Sequence, residues 1–140
     1  MNDKLYDIFI SHAWRYHDDW IRMGELFDQC SGIRWRNFSV PWHDPAMNPN
    51  TEVGGKFIRD WLESQIIPVY GFILLNSVFE VKSSRKWVQL EVEMARKHNI
   101  PIVAVPTYGE KEVLAEVRDL SDQVSSWDCH RIIDIFEQLN

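Results

Sequence analysis

The sequence predicts an α/β sandwich on a mostly parallel five-stranded sheet. Three observations carry this. Strand-like runs and helix-like patterns alternate five times along the chain. The central run, residues 68–76, is apolar nearly throughout, as a strand covered by helices on both faces must be. No repeat, low-complexity tract or linker divides the chain, so residues 1–140 read as one domain. With 140 residues, 45% hydrophobic and 26% charged, the composition is that of a packed domain large enough to bury its own core.

The elements follow in order. Residues 5–11 (LYDIFIS) are rich in apolar and aromatic side chains and read as a strand. Residues 18–30 put Trp20, Met23, Phe27 and Cys30 at helical spacing, with Asp18 and Asp19 favourable at the helix start. Residues 34–40 suit a short second strand. Residues 41–55 hold three prolines, two glycines and few apolar groups, and read as a long loop of the kind that often carries function. Thr51 suits the cap of a helix bearing Val53, Phe57, Trp61 and Ile66. After the central strand come a helix over 85–98, a β-branched strand over 101–105 and a weak, exposed helix over 110–119. Residues 124–127 suit a last strand, and Asp128 the N-cap of a helix bearing Ile132, Ile135, Phe136 and Leu139.

Charge and composition exclude several classes. Fifteen Lys and Arg face 21 Asp and Glu, a formal net charge of −6. That balance argues against general binding of nucleic acid or anionic membranes, which depends on basic patches. The longest apolar run, 66–75, is interrupted by Pro68 and Gly71 and falls short of the ~20 residues of a membrane span. The opening MNDKLYDIF lacks the features of a secretory signal. Cys30 and Cys129, far apart, make neither a disulfide framework nor a zinc signature, so a reduced cytoplasmic protein is expected. His12, His17, His43, His98 and His130 are scattered without ligand spacing, so no metal site is expected.

In a parallel α/β sheet, ligands bind outside the carboxyl ends of the strands, where the strand order reverses. That directs attention to residues 11–14, the 41–55 loop and Asn76-Ser77. The helix after the central strand adds a candidate. At ~100° per residue with Trp87 at zero, Leu90, Met94, Ala95 and His98 fall within about 80° of it, with Val88 and Val92 on one flank. Arg85, Gln89, Glu93 and Arg96 fall on the far side. Glu91 lies about 40° from Trp87, inside the apolar stripe, while Glu93 points to water. A buried carboxylate costs several kcal/mol unless it is partnered, so Glu91 is either a structural ion-pair member or a functional group. Other uses of such a fold fail by absence: there is no glycine-bearing phosphate loop after the first strand, no aspartate ending the third, and neither GxGxxG nor a P-loop. Ser11 and His12, adjacent on a strand end, point to opposite faces and make a poor nucleophile–base couple.

Three segments carry a resemblance. YDIFISHAW (6–14) resembles the opening strand of Toll/interleukin-1 receptor (TIR) domains, and SSRKWVQLEVEMARKHNIPIVAV (83–105) their third helix and fourth strand. WRNFSVPWHDP (35–45) is similar, more narrowly, to the TIR-like proteins of bacterial Thoeris antiphage defence. The resemblance implies a flavodoxin-like three-layer sandwich and an enzyme that breaks the nicotinamide–ribose bond of NAD+. It implies that the family's catalytic glutamate is Glu91, preceded by Ser84 and Trp87. It further implies a cyclic or conjugated ADP-ribosyl signal that reaches a separate effector, and self-association that completes the active site. NAD+ is then a substrate, and no resident cofactor is expected. The loop after strand two, SVPWHDPAMNPNTEVGG, departs from the Arg-Asp and Pro-Gly of animal signalling TIR domains, which puts adaptor-style contacts in doubt more than catalysis.

The chemistry suits one carboxylate. Nicotinamide leaves as a neutral group, so no general acid is required, and a glutamate can hold the ribose hydroxyls and stabilise oxocarbenium charge. Expected substrate-binding residues are Phe9, Ser11, His12 and Trp14 at the end of strand one, Trp42 on the loop (with His43 beside it), and Ser84 and Trp87. Two competing readings are a non-enzymatic interaction module of the same fold and a glycosyl-transfer enzyme of the nucleoside deoxyribosyltransferase kind. Free nicotinamide after incubation with NAD+ separates them from the first.

Overall fold

The computed structural model describes residues 4–11, 18–39 and 52–140; at 52–58, 83 and 84 only the backbone is considered. The elements run β1 (Leu5–Ile10), α1 (Asp18–Asp28), β2 (Arg34–Asn37), α2 (Glu52–Ile66), β3 (Gly71–Leu75), α3 (Asn76–Glu80), α4 (Lys82–Lys97), β4 (Ile102–Val105), α5 (Ala115–Leu120), β5 (Gln123–Val124) and α6 (Cys129–Leu139). All four strand pairings are parallel, in the order β2-β1-β3-β4-β5. This is the flavodoxin-like order, and its reversal falls between β1 and β3. Register places Phe9 beside Phe72 and Leu75 beside Val105. The right-handed crossovers of parallel β-α-β units put α1 on one face and α2, α4 and α5 on the other, and the Cys30–Cys129 bond holds the start of α6 beside the end of α1. Contact between α2 and α4 fits that division.

Sequence explains the layers. β3 (GFILL) and β4 (IVAV) are buried at every position, which only a strand covered on both faces can be. β2 (RWRN) alternates exposed and half-buried residues, as an edge strand does. Arg36 pairs with Asp7 of β1, Nε to Oδ1 2.6 Å, on its outer side. Trp35 turns inward to Phe27, ring centroids 5.3 Å apart. α6 lays Ile132, Ile133, Ile135 and Phe136 on the sheet. Phe136 covers Gly71 so closely that a Cβ at position 71 would overlap its ring. Asp128 caps α6, accepting from the Arg131 amide at 3.2 Å. Asn99, at φ 57°, ends α4, with the Ile100 amide on the Ala95 carbonyl (2.9 Å) and the Asn99 amide on that of Arg96 (3.1 Å).

Several expectations are corrected. α3 is an element the sequence pattern hid, because five residues are too few for a helical period to show. α4 begins at Lys82 rather than Arg85, and α2 at Glu52, so Gly54 and Gly55 are helical rather than loop. The last strand is residues 123–124, and Ser125 and Ser126 already leave it. The weak helix is confined to Ala115–Leu120. Cys30 and Cys129, expected as free thiols, are joined in a disulfide. Spacing of 99 residues concealed a pair that the packing of α6 beside the turn after α1 brings together, and the cysteines no longer argue for a reducing compartment. No helix among the described residues is long and apolar enough to cross a membrane.

Candidate active site at the carboxyl edge of the sheet

At the reversal point the chain leaves β1 at Ser11 and β3 at Asn76. Ser11 is fully buried, and its Oγ accepts from the Leu75 amide at 2.8 Å while its own amide donates to the Ile73 carbonyl at 2.8 Å. It stitches the two strand ends together where they begin to part. Asn76 spans further. Its Nδ2 donates to Glu80 Oε1 (2.9 Å) and Thr107 Oγ1 (3.1 Å), and its Oδ1 accepts from the Leu114 amide (2.8 Å). It thereby ties the end of β3 to the loop after β4.

Asp19 completes this frame from α1. It is 2% exposed, accepting at Oδ2 from Ser77 Oγ (2.6 Å) and the Tyr108 amide (3.2 Å) and at Oδ1 from Arg22 Nη1 (2.8 Å). Donors from three parts of the chain converge on one carboxylate, so Asp19 acts as a clamp. Sequence reading treats it only as a favourable charge at a helix start. The signal missed is its helical face: Asp19 stands one turn before Met23, and both are buried.

Glu91 is the other buried carboxylate among the described residues, 2% exposed, while Glu93 is exposed. The angular arithmetic therefore separates the two acids correctly. Its phase needs turning, however. The deepest line of α4 is Val88, Val92 and Ala95, about 80–140° from Trp87, and Trp87, Leu90, Met94 and His98 form a half-buried flank. His98 is held at that flank by Glu63 of α2, Nε2 to Oε2 2.9 Å, beside Lys97 Nζ at 2.7 Å from the same oxygen. Hydrogen bonds from Lys97, the larger cause, and from His98 hold the Glu63 carboxyl below its ordinary value. Because α4 starts at Lys82, Glu91 lies nine residues, about 13 Å, along it, deeper than expected.

The remaining expected site residues divide. Trp87 is half-buried, one turn before Glu91. Phe9 is fully covered and stacks on Phe72 with centroids 5.4 Å apart, so it belongs to the core under the edge rather than to an open ligand surface. Ser11 serves the strand junction described above. His12, Trp14 and Trp42, with His43 and the rest of 41–51, lie outside the described residues, as does the side chain of Ser84.

These features define an α/β domain of the flavodoxin-like kind, with a hydrogen-bonded polar frame at its topological switch point and a buried glutamate on the helix beyond. The chain belongs to the TIR-like domain family of Thoeris protein ThsB, whose family model matches residues 9–112. Its place is accordingly in the Thoeris antiphage system. The matched span runs from the last two residues of β1 through β4, and so contains the carboxyl ends of β1 and β3 at the switch point and Glu91. No curated protein matches the chain.

Proposed function

We propose that this chain cleaves the bond between nicotinamide and ribose in NAD+ with Glu91 as the catalytic carboxylate. The observation that carries the reading is a glutamate 2% exposed on α4, inside the family-matched span and beyond the switch point where folds of this order bind ligands. In the reaction the glycosidic C–N bond breaks and its electron pair leaves with nicotinamide. The ribose C1′ gains oxocarbenium character, which the carboxylate stabilises through charge and through hydrogen bonds to the ribose hydroxyls. Water, or a nucleophile on the ADP-ribosyl group or a second molecule, then bonds to C1′ and releases a proton. In the signalling form of the reaction the product is a cyclic or conjugated ADP-ribose that reaches a separate effector. In this reading Trp87 walls the site, Ser84, His12, Trp14 and Trp42 serve as substrate-binding residues, and a second copy of the chain completes it. NAD+ is a substrate here, and neither nucleic acid nor membrane is a partner.

The test is incubation of the chain with NAD+, and extraction of phage-challenged cells expressing it, with chromatographic identification of products. Free nicotinamide together with an ADP-ribose derivative is expected. Absence of both from challenged cells that contain folded protein would falsify the enzyme reading and favour an interaction module. Base exchange on deoxynucleosides would favour the glycosyl-transfer alternative.

A further inference from the structure

Cys30 lies in the turn after α1, and Cys129 is the first residue of α6; they are bonded with Cα atoms 6.3 Å apart. His130 stands against both sulfurs. Its Nδ1 is 3.8 Å from Cys30 Sγ and 3.9 Å from Cys129 Sγ, and its Nε2 is also 3.8 Å from Cys30 Sγ. Nε2 is 2.8 Å from the Ser31 carbonyl oxygen, which can only accept. Nε2 therefore carries the hydrogen, and in the neutral ring Nδ1 keeps its lone pair beside the sulfurs. A metal-ligating histidine is held in the same way, its second nitrogen donating to a backbone carbonyl. The three donor atoms lie within 4.8 Å of one another. On a tetrahedral zinc ion, bonds of about 2.3 Å to sulfur and 2.0 Å to nitrogen put the nitrogen roughly 3.5 Å from each sulfur and the sulfurs roughly 3.8 Å apart. Nδ1 is already near those distances from both sulfurs; because Cys30 Sγ is equidistant from the two ring nitrogens, binding after the disulfide is cut needs the sulfurs to part and the ring to turn its Nδ1 lone pair toward the ion.

We propose that the reduced Cys30–Cys129 pair and His130 form a three-ligand site for a zinc-class divalent cation, of which the disulfide is the oxidised, metal-free form. In the first step a dithiol reductant gives two electrons and two protons to the S–S bond and becomes a disulfide itself. In the second, the cation bonds to Cys30 Sγ, Cys129 Sγ and His130 Nδ1; two thiol protons go to solvent, and water fills the fourth position. Both cysteines are buried while His130 is exposed, which gives the ion an entry from solvent. Sequence spacing hid the site because its ligands come from opposite ends of the chain. The site stands whether or not the chain cleaves NAD+.

To test it, the full chain is reduced with a phosphine, desalted without oxygen, shown to carry two free thiols and titrated with Co2+ alone. One equivalent is expected to bind, with a thiolate-to-cobalt charge-transfer band and tetrahedral visible bands that added Zn2+ abolishes. The unreduced protein should show neither. His130→Ala and Cys129→Ser should each weaken binding about tenfold or more, since losing a ligand costs at least what losing its outer partner does. A reduced parent with two free thiols, unchanged circular dichroism and no charge-transfer band would overturn the proposal. So would a band of unchanged affinity in His130→Ala, or loss of the helical signal on reduction alone.

Discussion

The carboxyl edge of the sheet and the face under α6 solve the problem of burial in opposite ways. Ser11 directly follows β1, Asn76 and Ser77 follow β3, and Ser125 directly follows β5; Ser39 lies two residues beyond β2, and Asp19 sits in the first turn of α1. All six are buried. Ser39 takes a hydrogen bond from the Trp20 indole at 3.1 Å, so β2 is tied to α1 much as β3 is through Asp19. Under α6 the buried groups are Ile132, Ile133, Ile135 and Phe136, fitted against a strand that opens with glycine. The edge is thus held by directional bonds, whose loss leaves unsatisfied groups, and the α6 face by shape, whose loss leaves voids or overlap. A rim fixed by hydrogen bonds suits a ligand site, and a shape-fitted face suits a stable support for it.

Stability measurements can break or sharpen this contrast. The largest loss is expected at Asp19→Ala, about 3 kcal/mol in urea unfolding, because it strands the buried Ser77 hydroxyl and the Tyr108 amide. A loss below ~1 kcal/mol would show the clamp to be incidental. Gly71→Ala comes next, at about 1–3 kcal/mol, since the added methyl meets the Phe136 ring. Combining it with Phe136→Leu should recover part of that loss, and additive costs in the double mutant would remove the shape argument. Asp128→Ala should cost about 1 kcal/mol through loss of the α6 cap, seen as a lowered thermal midpoint.

The smallest effect is expected at Glu63. Its folded pKa is depressed by Lys97 and then His98, so its contribution is present above the ordinary carboxyl value of 4.5 and fades as pH falls through the lower folded value. Thermal melts of Glu63→Gln should match the parent closely at neutral pH and lose less than the parent does on acidification below about pH 4.5. A steeper acid loss in the variant would reverse the assigned sign.

How much of this was legible depended on whether the signal was local. β1, β3 and β4 announce themselves as apolar runs because their burial on two faces needs no partner to be inferred. Asp128 and the stripe of α6 are local in the same sense. Glu91 could be separated from Glu93 because two positions along a helix differ by most of half a turn whatever packs on it. Where the deepest line of α4 would fall was not legible, since Val88, Val92 and Ala95 are small residues that the sheet selects over the larger Trp87 and Met94. Asp19 looked like an ordinary helix-start charge because its partners Ser77 and Tyr108 stand 58 and 89 residues away. The disulfide was hidden for the same reason.

The central claim is that Glu91, and not its neighbour on the same helix, carries the chemistry. The most direct measurement is nicotinamide release from NAD+ by the parent, Glu91→Gln and Glu93→Gln under identical activating conditions, with folding checked by circular dichroism. Glu91→Gln keeps the side-chain shape but removes the charge, and should lower the rate by about a hundredfold or more, the scale of losing a main electrostatic contact. Glu93→Gln, on the hydrated face, should retain the parent rate. A folded Glu91→Gln that keeps more than about a tenth of the activity, a loss worth less than ~1.4 kcal/mol, would contradict the account, as would a Glu93→Gln that loses it.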